Sequence, residues 1–139
     1  NPNPSSTVNY PATYNDTIAV GAYDTINRGL WQGSSRGPAI SGLLKPDIIA
    51  PGVNIIGPYP GGRYATITGT APAACYTSGC VAMFMEYTLR NNLYPEKNFV
   101  QKLRTLFRAG AIMTNTSSYP NFNEGYGILN LRRTFEVFR

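Results

Sequence analysis

Gly69-Thr70-Ala71-Pro72-Ala73-Ala74 joins two differently patterned parts of this 139-residue chain. Ahead of it, Tyr64-Ala65-Thr66-Ile67-Thr68 alternates and is rich in β-branched residues, which predicts a strand. Behind it, Pro72 to about Leu89 reads as a helix. Proline suits the first helical position, where its missing N–H would be unpaired anyway. A strand passing through Gly-Thr into a helix places residue 71 at the helix mouth. The unpaired N–H groups and the positive dipole end gather there and favour developing negative charge. A serine at that position would be a nucleophile whose own backbone N–H serves an oxyanion. This chain carries Ala71, which has no hydroxyl. The alternative reading is an ordinary tight strand-to-helix turn.

Working outward, Ile18 to Ala22 is a short continuous apolar run and Asp47 to Ala50 is apolar after its opening aspartate, and both read as buried strands. Pro51-Gly52 stops the second, and Val53 to Ile56 is a third apolar piece. Asp24 to Gly29, Ser34 to Pro38, Pro58 to Gly62 and Asn121 to Gly127 are turns or loops by composition, as is the opening stretch 1–7. The Pro72–Leu89 helix is apolar nearly all round, which predicts burial in the interior. A second helix is expected over Glu96 to Ala109. Phe99, Val100, Leu103, Leu106 and Phe107 form its stripe, and Lys97, Lys102, Arg104 and Arg108 point away. Leu131, Phe135 and Phe138 give a short final amphipathic helix.

Composition excludes several classes. At 42% hydrophobic and 14% charged residues the chain can form a core. No run of about 18 apolar residues exists, so no membrane span is expected. The net charge is +5, with the excess in Lys97, Lys102, Arg104, Arg108, Arg132, Arg133 and Arg139. Without interleaved aromatics these read as solvated helix faces, and no nucleic-acid partner is expected. Cys75 and Cys80 lie five apart on one helix, about 140° apart around its axis and roughly 8 Å apart, so a mutual disulfide is not expected. Both read as buried thiols. Histidine is absent. The general base of a Ser-His-Asp mechanism must therefore come from elsewhere.

The surroundings of position 71 carry a family resemblance. Lys45-Pro46-Asp47-Ile48-Ile49-Ala50-Pro51-Gly52 resembles the Lys-Pro-Asp-x-x-Ala-Pro-Gly segment of subtilisin-like serine proteases. It lies about 20 residues ahead of the nucleophile position. Residues 69–74 resemble the Gly-Thr-Ser-x-Ala-Ala signature of that family. Ser34-Ser35-Arg36-Gly37-Pro38 is similar to its Ser-Ser-x-Gly-Pro loop. Tyr10-Pro11-Ala12 with Ile18-Ala19-Val20-Gly21-Ala22 is similar to its Tyr-Pro-Ala … Ile-x-Val-Gly-Ala stretch. Gly125-Tyr126-Gly127-Ile128-Leu129-Asn130 resembles its Gly-x-Gly-x-x-Asn element. The fold implied is α/β, a parallel sheet with helices on both faces, with residues 1–139 forming the C-terminal part of the peptidase domain.

The resemblance implies the remaining expectations. Ala71 stands at the nucleophile position, flanked by Gly69 and Thr70. Asn9, Tyr10, Pro11 and Ala12 border the pocket for the substrate side chain before the scissile bond, and Asn9 implies a polar or small residue there. The catalytic Asp and His belong to an N-terminal segment on another chain or ahead of this one. The isolated chain, lacking the partner faces of the Pro72–Leu89 helix, is expected to be unstable. No cofactor is required. A weak sodium or calcium ion is implied between the carbonyls of Ala12, Tyr14 and Thr17 and the Asp47 carboxylate; the alternative is that Asp47 hydrogen-bonds its own loop.

Ala73-Ala74-Cys75-x-x-Ser78-Gly79 looks like the clostridial spore-germination subtilases, the Csp proteases, where most subtilases continue with proline at the position of Cys75. That group implies a spore location outside the core and a zymogen substrate, the precursor of a spore-cortex hydrolase. It also includes catalytically dead members. Ala71 is then either an engineered change from serine or the mark of a natural pseudoprotease that binds and regulates.

Overall fold

A computed structural model of the chain describes residues 6–93, 97–114 and 118–139. Position 96, the expected start of the second helix, lies outside the described residues. At the centre, β1 (Val20–Asp24) and β3 (Ile48–Pro51) run parallel, with Val20 opposite Ile48 and Ala22 opposite Ala50. Ala22, Ile48, Ile49 and Ala50 have no exposed surface. Such strands read as continuous apolar runs because both faces are covered. β1 lies two residues later than the apolar run suggested, because pairing with β2 (Gly29–Leu30) extends it to Asp24. The turn between them is built by Asp24, whose carboxylate accepts from the N–H groups of Ile26 and Asn27 and from the Asn27 side chain. The Asn27 side-chain bond is the main cause holding the Asp24 carboxyl below its ordinary pKa.

The sheet continues past β3. The Ile49 N–H donates to the Gly127 carbonyl at 2.9 Å, and the Leu129 N–H donates to the Ile49 carbonyl at 2.8 Å. Ile128 thus bridges Ile49 in parallel and Ile112 antiparallel. Gly125 makes this approach possible. Its φ is +61°, and a Cβ there would strike the carbonyls of Pro46 and Asp47.

β4 (Ile55–Tyr59) and β5 (Arg63–Ile67) form an antiparallel hairpin, Ile55 opposite Ile67 and Tyr59 opposite Arg63. The expected turn at 58–62 is shorter than composition suggested, because Pro58 and Tyr59 belong to β4. A proline lacking its N–H is tolerated in such an edge ribbon.

α1 (Thr70–Arg90) packs on β1 and β3. It is not buried all round, as its composition suggested. Ala73, Thr77, Cys80, Phe84 and Thr88 form one buried stripe, while Cys75, Tyr76, Met83 and Leu89 are exposed. Apolar composition permits burial of every face, but the described neighbours cover only one. The angular offset of the two cysteines sends them to different fates: both are free thiols, Cys75 exposed and Cys80 buried, and burial pushes the Cys80 thiol pKa up. α2 (Phe99–Gly110) buries Leu103 and Phe107. α3 (Leu131–Phe138) begins at Asn130, whose side chain accepts from the Arg133 N–H at 2.8 Å. Phe84 receives Phe135 and Phe138 from α3 at ring distances of 5.3 and 5.1 Å, closing a core that also holds Ala22, Ile48, Ala73 and Phe107.

Gly52 joins this core to the start of α1. The Gly69 N–H donates to the Gly52 carbonyl at 2.8 Å, and the Gly52 N–H donates to the Tyr23 carbonyl at 3.0 Å. A Cβ on Gly52 would sit 2.6 Å from the Gly69 carbonyl oxygen and 2.8 Å from the Ala22 Cβ. Gly52→Ala is expected to lower stability by about 1–3 kcal/mol through overpacking, and Gly125→Ala by at least as much because backbone strain is added. Thermal denaturation of the full protein checks both, and an unchanged melting temperature in either would refute the corresponding contact.

Candidate active site

The strand-to-helix passage has the predicted form. After Ile67, the Thr68 hydroxyl accepts from the Asn54 N–H at 2.9 Å, tying the end of β5 to the start of β4. Gly69 is the residue before the helix, and its bond to Gly52 pins the turn against the end of β3. Thr70 opens α1 and Ala71 follows, with its methyl group exposed. No side chain caps the helix and its first turn contains no acidic residue. Its leading N–H groups, that of Ala71 among them, have no partner within the helix. Two residues on, Ala73 is fully buried against the Gly52 turn. Position 71 thus combines a rigid base, an open side-chain direction and an electropositive environment.

A concavity of about 230 Å³ adjoins this point, lined by Val8, Asn9, Tyr10, Ala12, Ala19, Val20, Ser35, Pro46 and Thr70. The fold therefore brings Asn9, Tyr10 and Ala12 to Thr70, the neighbour of Ala71, across about 60 residues of sequence. Gly69 and Ala71 flank Thr70 without lining the hollow. Nor does Pro11 line it; its carbonyl accepts from the Tyr14 N–H at 3.1 Å and lies 3.2 Å from the Thr17 hydroxyl oxygen. Sequence reasoning missed Val8, Ala19, Val20, Ser35 and Pro46 as lining residues. Ser35 and Pro46 lie within motifs already singled out, but which side of those loops faces the hollow follows only from chain packing. A roomier groove of about 610 Å³ lies between α1, α2 and α3 and is lined by Phe84, Leu103 and Phe138 among others. None of residues 8–12 or 69–71 lines it.

Behind the pocket lies a buried charge cluster. Asp47 has no exposed surface, and its carboxylate accepts from the Ala19 N–H at 2.7 Å. It pairs with the Lys45 ammonium at 3.0 Å and with the Arg108 guanidinium. Lys45 is equally buried and donates to the Thr17 carbonyl at 2.9 Å. Arg108 also stacks over Tyr126, 4.6 Å from the ring centre. Arg108 is thus not the solvated charge expected, while half-buried Arg104 donates to the Asn15 carbonyl at the surface.

The implied sodium or calcium site does not fit this arrangement. Its proposed ligands Thr17 carbonyl and Asp47 carboxylate are both engaged by the Lys45 ammonium. The single proton of the Thr17 hydroxyl goes to the Tyr14 carbonyl at 2.9 Å, with the Ala12 carbonyl 3.4 Å away. A metal cation would have to enter beside two protein cations that share one carboxylate. Among the described residues, no group of three or more His, Cys, Asp or Glu is placed to hold a metal ion, and no helix is long and apolar enough to cross a membrane.

The subtilase family profile matches residues 1–128. The major intracellular serine protease of Bacillus subtilis (strain 168) is 34% identical over 100 residues, covering 70% of this chain and 29% of that protein. Subtilisin amylosacchariticus from Bacillus subtilis subsp. amylosacchariticus is 43% identical over 81 residues, 58% of this chain and 19% of its own length. Among solved structures, the CspB protease of Clostridium perfringens superposes with a TM-score of 0.85 at 35% identity, covering 96% of this chain and 29% of that chain. A serine-to-alanine mutant of the PatA protease domain superposes with a TM-score of 0.78 at 27% identity, covering 96% of this chain and 44% of that one. The chain spans less than half the length of each of these relatives. With the strand-to-helix turn, the adjoining pocket and the family profile in agreement, the chain belongs to the subtilase family of serine proteases.

Proposed function

We propose that residues 1–139 form the C-terminal part of a subtilisin-like endopeptidase domain, with position 71 as the nucleophile position and Ala71 holding it silent. One observation carries the reading: Ala71 is exposed at an uncapped helix start, and its neighbour Thr70 lines the pocket formed with Asn9, Tyr10 and Ala12. With a serine there, the hydroxyl oxygen attacks the scissile carbonyl and its proton passes to an imidazole. The oxyanion accepts from the backbone N–H of residue 71. Collapse expels the amine, which takes the proton, and water then hydrolyses the acyl-enzyme by the same route. This chain has no histidine, so the imidazole and its orienting carboxylate are supplied by an N-terminal segment of the same protease. The hollow accepts the side chain before the scissile bond, and its modest volume with Asn9 at the rim suits a small or polar residue.

The biological setting we propose is spore germination, outside the spore core. The substrate would be a protein zymogen, the precursor of a cortex-degrading hydrolase. Support comes from the Ala73-Ala74-Cys75-x-x-Ser78-Gly79 pattern and from the structural likeness to the clostridial CspB protease. The intact surroundings of position 71 favour an engineered replacement of a working serine.

In the full protein, Ala71→Ser is expected to raise peptidase turnover by about 10⁶-fold, the scale of loss when a subtilisin loses its serine. It should also confer labelling by a fluorophosphonate. If the variant folds, neither labels nor cleaves, yet retains a specific germination partner, the chain is instead a binding and regulatory pseudoprotease. Within the Ala71→Ser background, Asn9→Asp is expected to shift kcat/KM by roughly tenfold toward peptides with Lys or Arg before the scissile bond, through attraction at the pocket rim. A profile unchanged across a peptide library would remove Asn9 from the pocket.

A further inference from the structure

The geometry points to Lys45 as a positioning residue: we propose that its buried ammonium does the work of a bound cation and holds the substrate-pocket loop in place without a metal. The inference rests on the pocket reading above and extends it from the residues that line the hollow to the one that fixes its wall. Lys45 Nζ lies 3.0 Å from Asp47 Oδ2 and 2.9 Å from the Thr17 carbonyl oxygen, with the Lys45 side chain only 1% exposed. From Thr17 the tie continues through its hydroxyl, which lies 2.9 Å from the Tyr14 carbonyl, 3.2 Å from that of Pro11 and 3.4 Å from that of Ala12. The loop so held presents Tyr10 and Ala12 to the pocket. A flexible loop becomes a defined wall when its carbonyls converge on fixed donors, and here both donors belong to the chain.

Charge balance supports the same conclusion. Asp47 carries one negative charge, and Lys45 and Arg108 supply two positive ones. A third cation would enter an environment already positive in sum, where the burial cost of charge is high. Removing the Lys45 ammonium reverses this. Asp47 keeps Arg108 on Oδ1 and the Ala19 N–H on Oδ2, so the pair remains balanced, while the Thr17 carbonyl and the side of Oδ2 that faced the ammonium are opened as hard oxygen ligands of the kind that sodium and calcium prefer.

Two measurements on the full protein test the proposal. In the first, melting temperature is followed against calcium chloride and sodium chloride, with choline chloride as the ionic-strength control. Lys45→Met is expected to melt lower than the parent and to regain stability with calcium or sodium more steeply than the parent does. In the second, made in the Ala71→Ser background, Lys45→Met is expected to raise KM for a peptide substrate about three- to tenfold with little change in kcat, since a displaced wall costs positioning. Thr17→Val, which leaves the ion pair intact, should raise KM similarly without creating a cation response. Parallel cation curves for parent and Lys45→Met would overturn the proposal, as would an unchanged KM in a folded variant. If Asn9→Asp alters specificity and Lys45→Met does not alter KM, the positioning role fails while the pocket stands; if neither responds, the pocket assignment itself has failed.

Discussion

The Asp47 carboxylate is the interaction on which the rest of the structure depends. It sits without solvent contact at the entry to β3, and four separate parts of the chain meet on it or on its backbone. The Ala19 N–H fixes the approach to β1, Lys45 brings in the 10–17 loop, Arg108 brings in α2, and the Asp47 carbonyl receives the Tyr126 N–H. A buried pair of this kind adds little net stability compared with an apolar replacement, yet loss of a single partner typically costs about 3–5 kcal/mol. Its value lies in register. Each partner reaches Asp47 only if its own element is correctly placed, so the parallel pairing of β1 with β3 and the seating of α2 are specified together.

Register at Asp47 is carried forward to the site by the short run of β3. Four residues on, the strand ends at Pro51, and Gly52 meets Gly69 backbone to backbone. The exposed β4–β5 ribbon delivers the chain to the turn, and the Gly52 contact holds that turn against the end of β3, where α1 begins. This explains why the Pro-Gly pair and the Gly-Thr pair matter together, although more than a dozen residues separate them.

Much of the fold was legible because its strongest elements have local signals. The apolar runs at 18–22 and 48–50, the alternation at 64–68, the proline in the first turn of α1 and the stripe Phe99, Leu103, Phe107 each encode an element in a few residues. What escaped depends on distant partners. β2 is two residues long and exists only because Asp24 turns the chain back along β1. Cys75 and Cys80 have the same chemistry, and only the neighbours of α1 decide which is buried. Arg108 looked like one more charge on a polar helix face, since nothing in its own helix announces a carboxylate 61 residues away. Of the candidate site, position 71 and the Asn9, Tyr10 and Ala12 border were readable through motif resemblance, whereas Val8, Ala19 and Val20 were not. Lys45 belongs to the Lys-Pro-Asp motif, but its role is hidden because a buried ammonium and a surface one look alike in sequence.

The alanine at position 71 illustrates how chemistry and stability separate within one turn. The side chain there is exposed and makes no core contact, and alanine is the most favourable residue within a helix. The turn is held by Gly52 and Gly69, the helix by its buried stripe, and the pocket wall by Lys45 and Thr17, none of which touches the missing hydroxyl. Nothing among the described residues therefore opposes a serine at this position. With alanine in place, the turn, the helix start and the adjoining pocket are all formed.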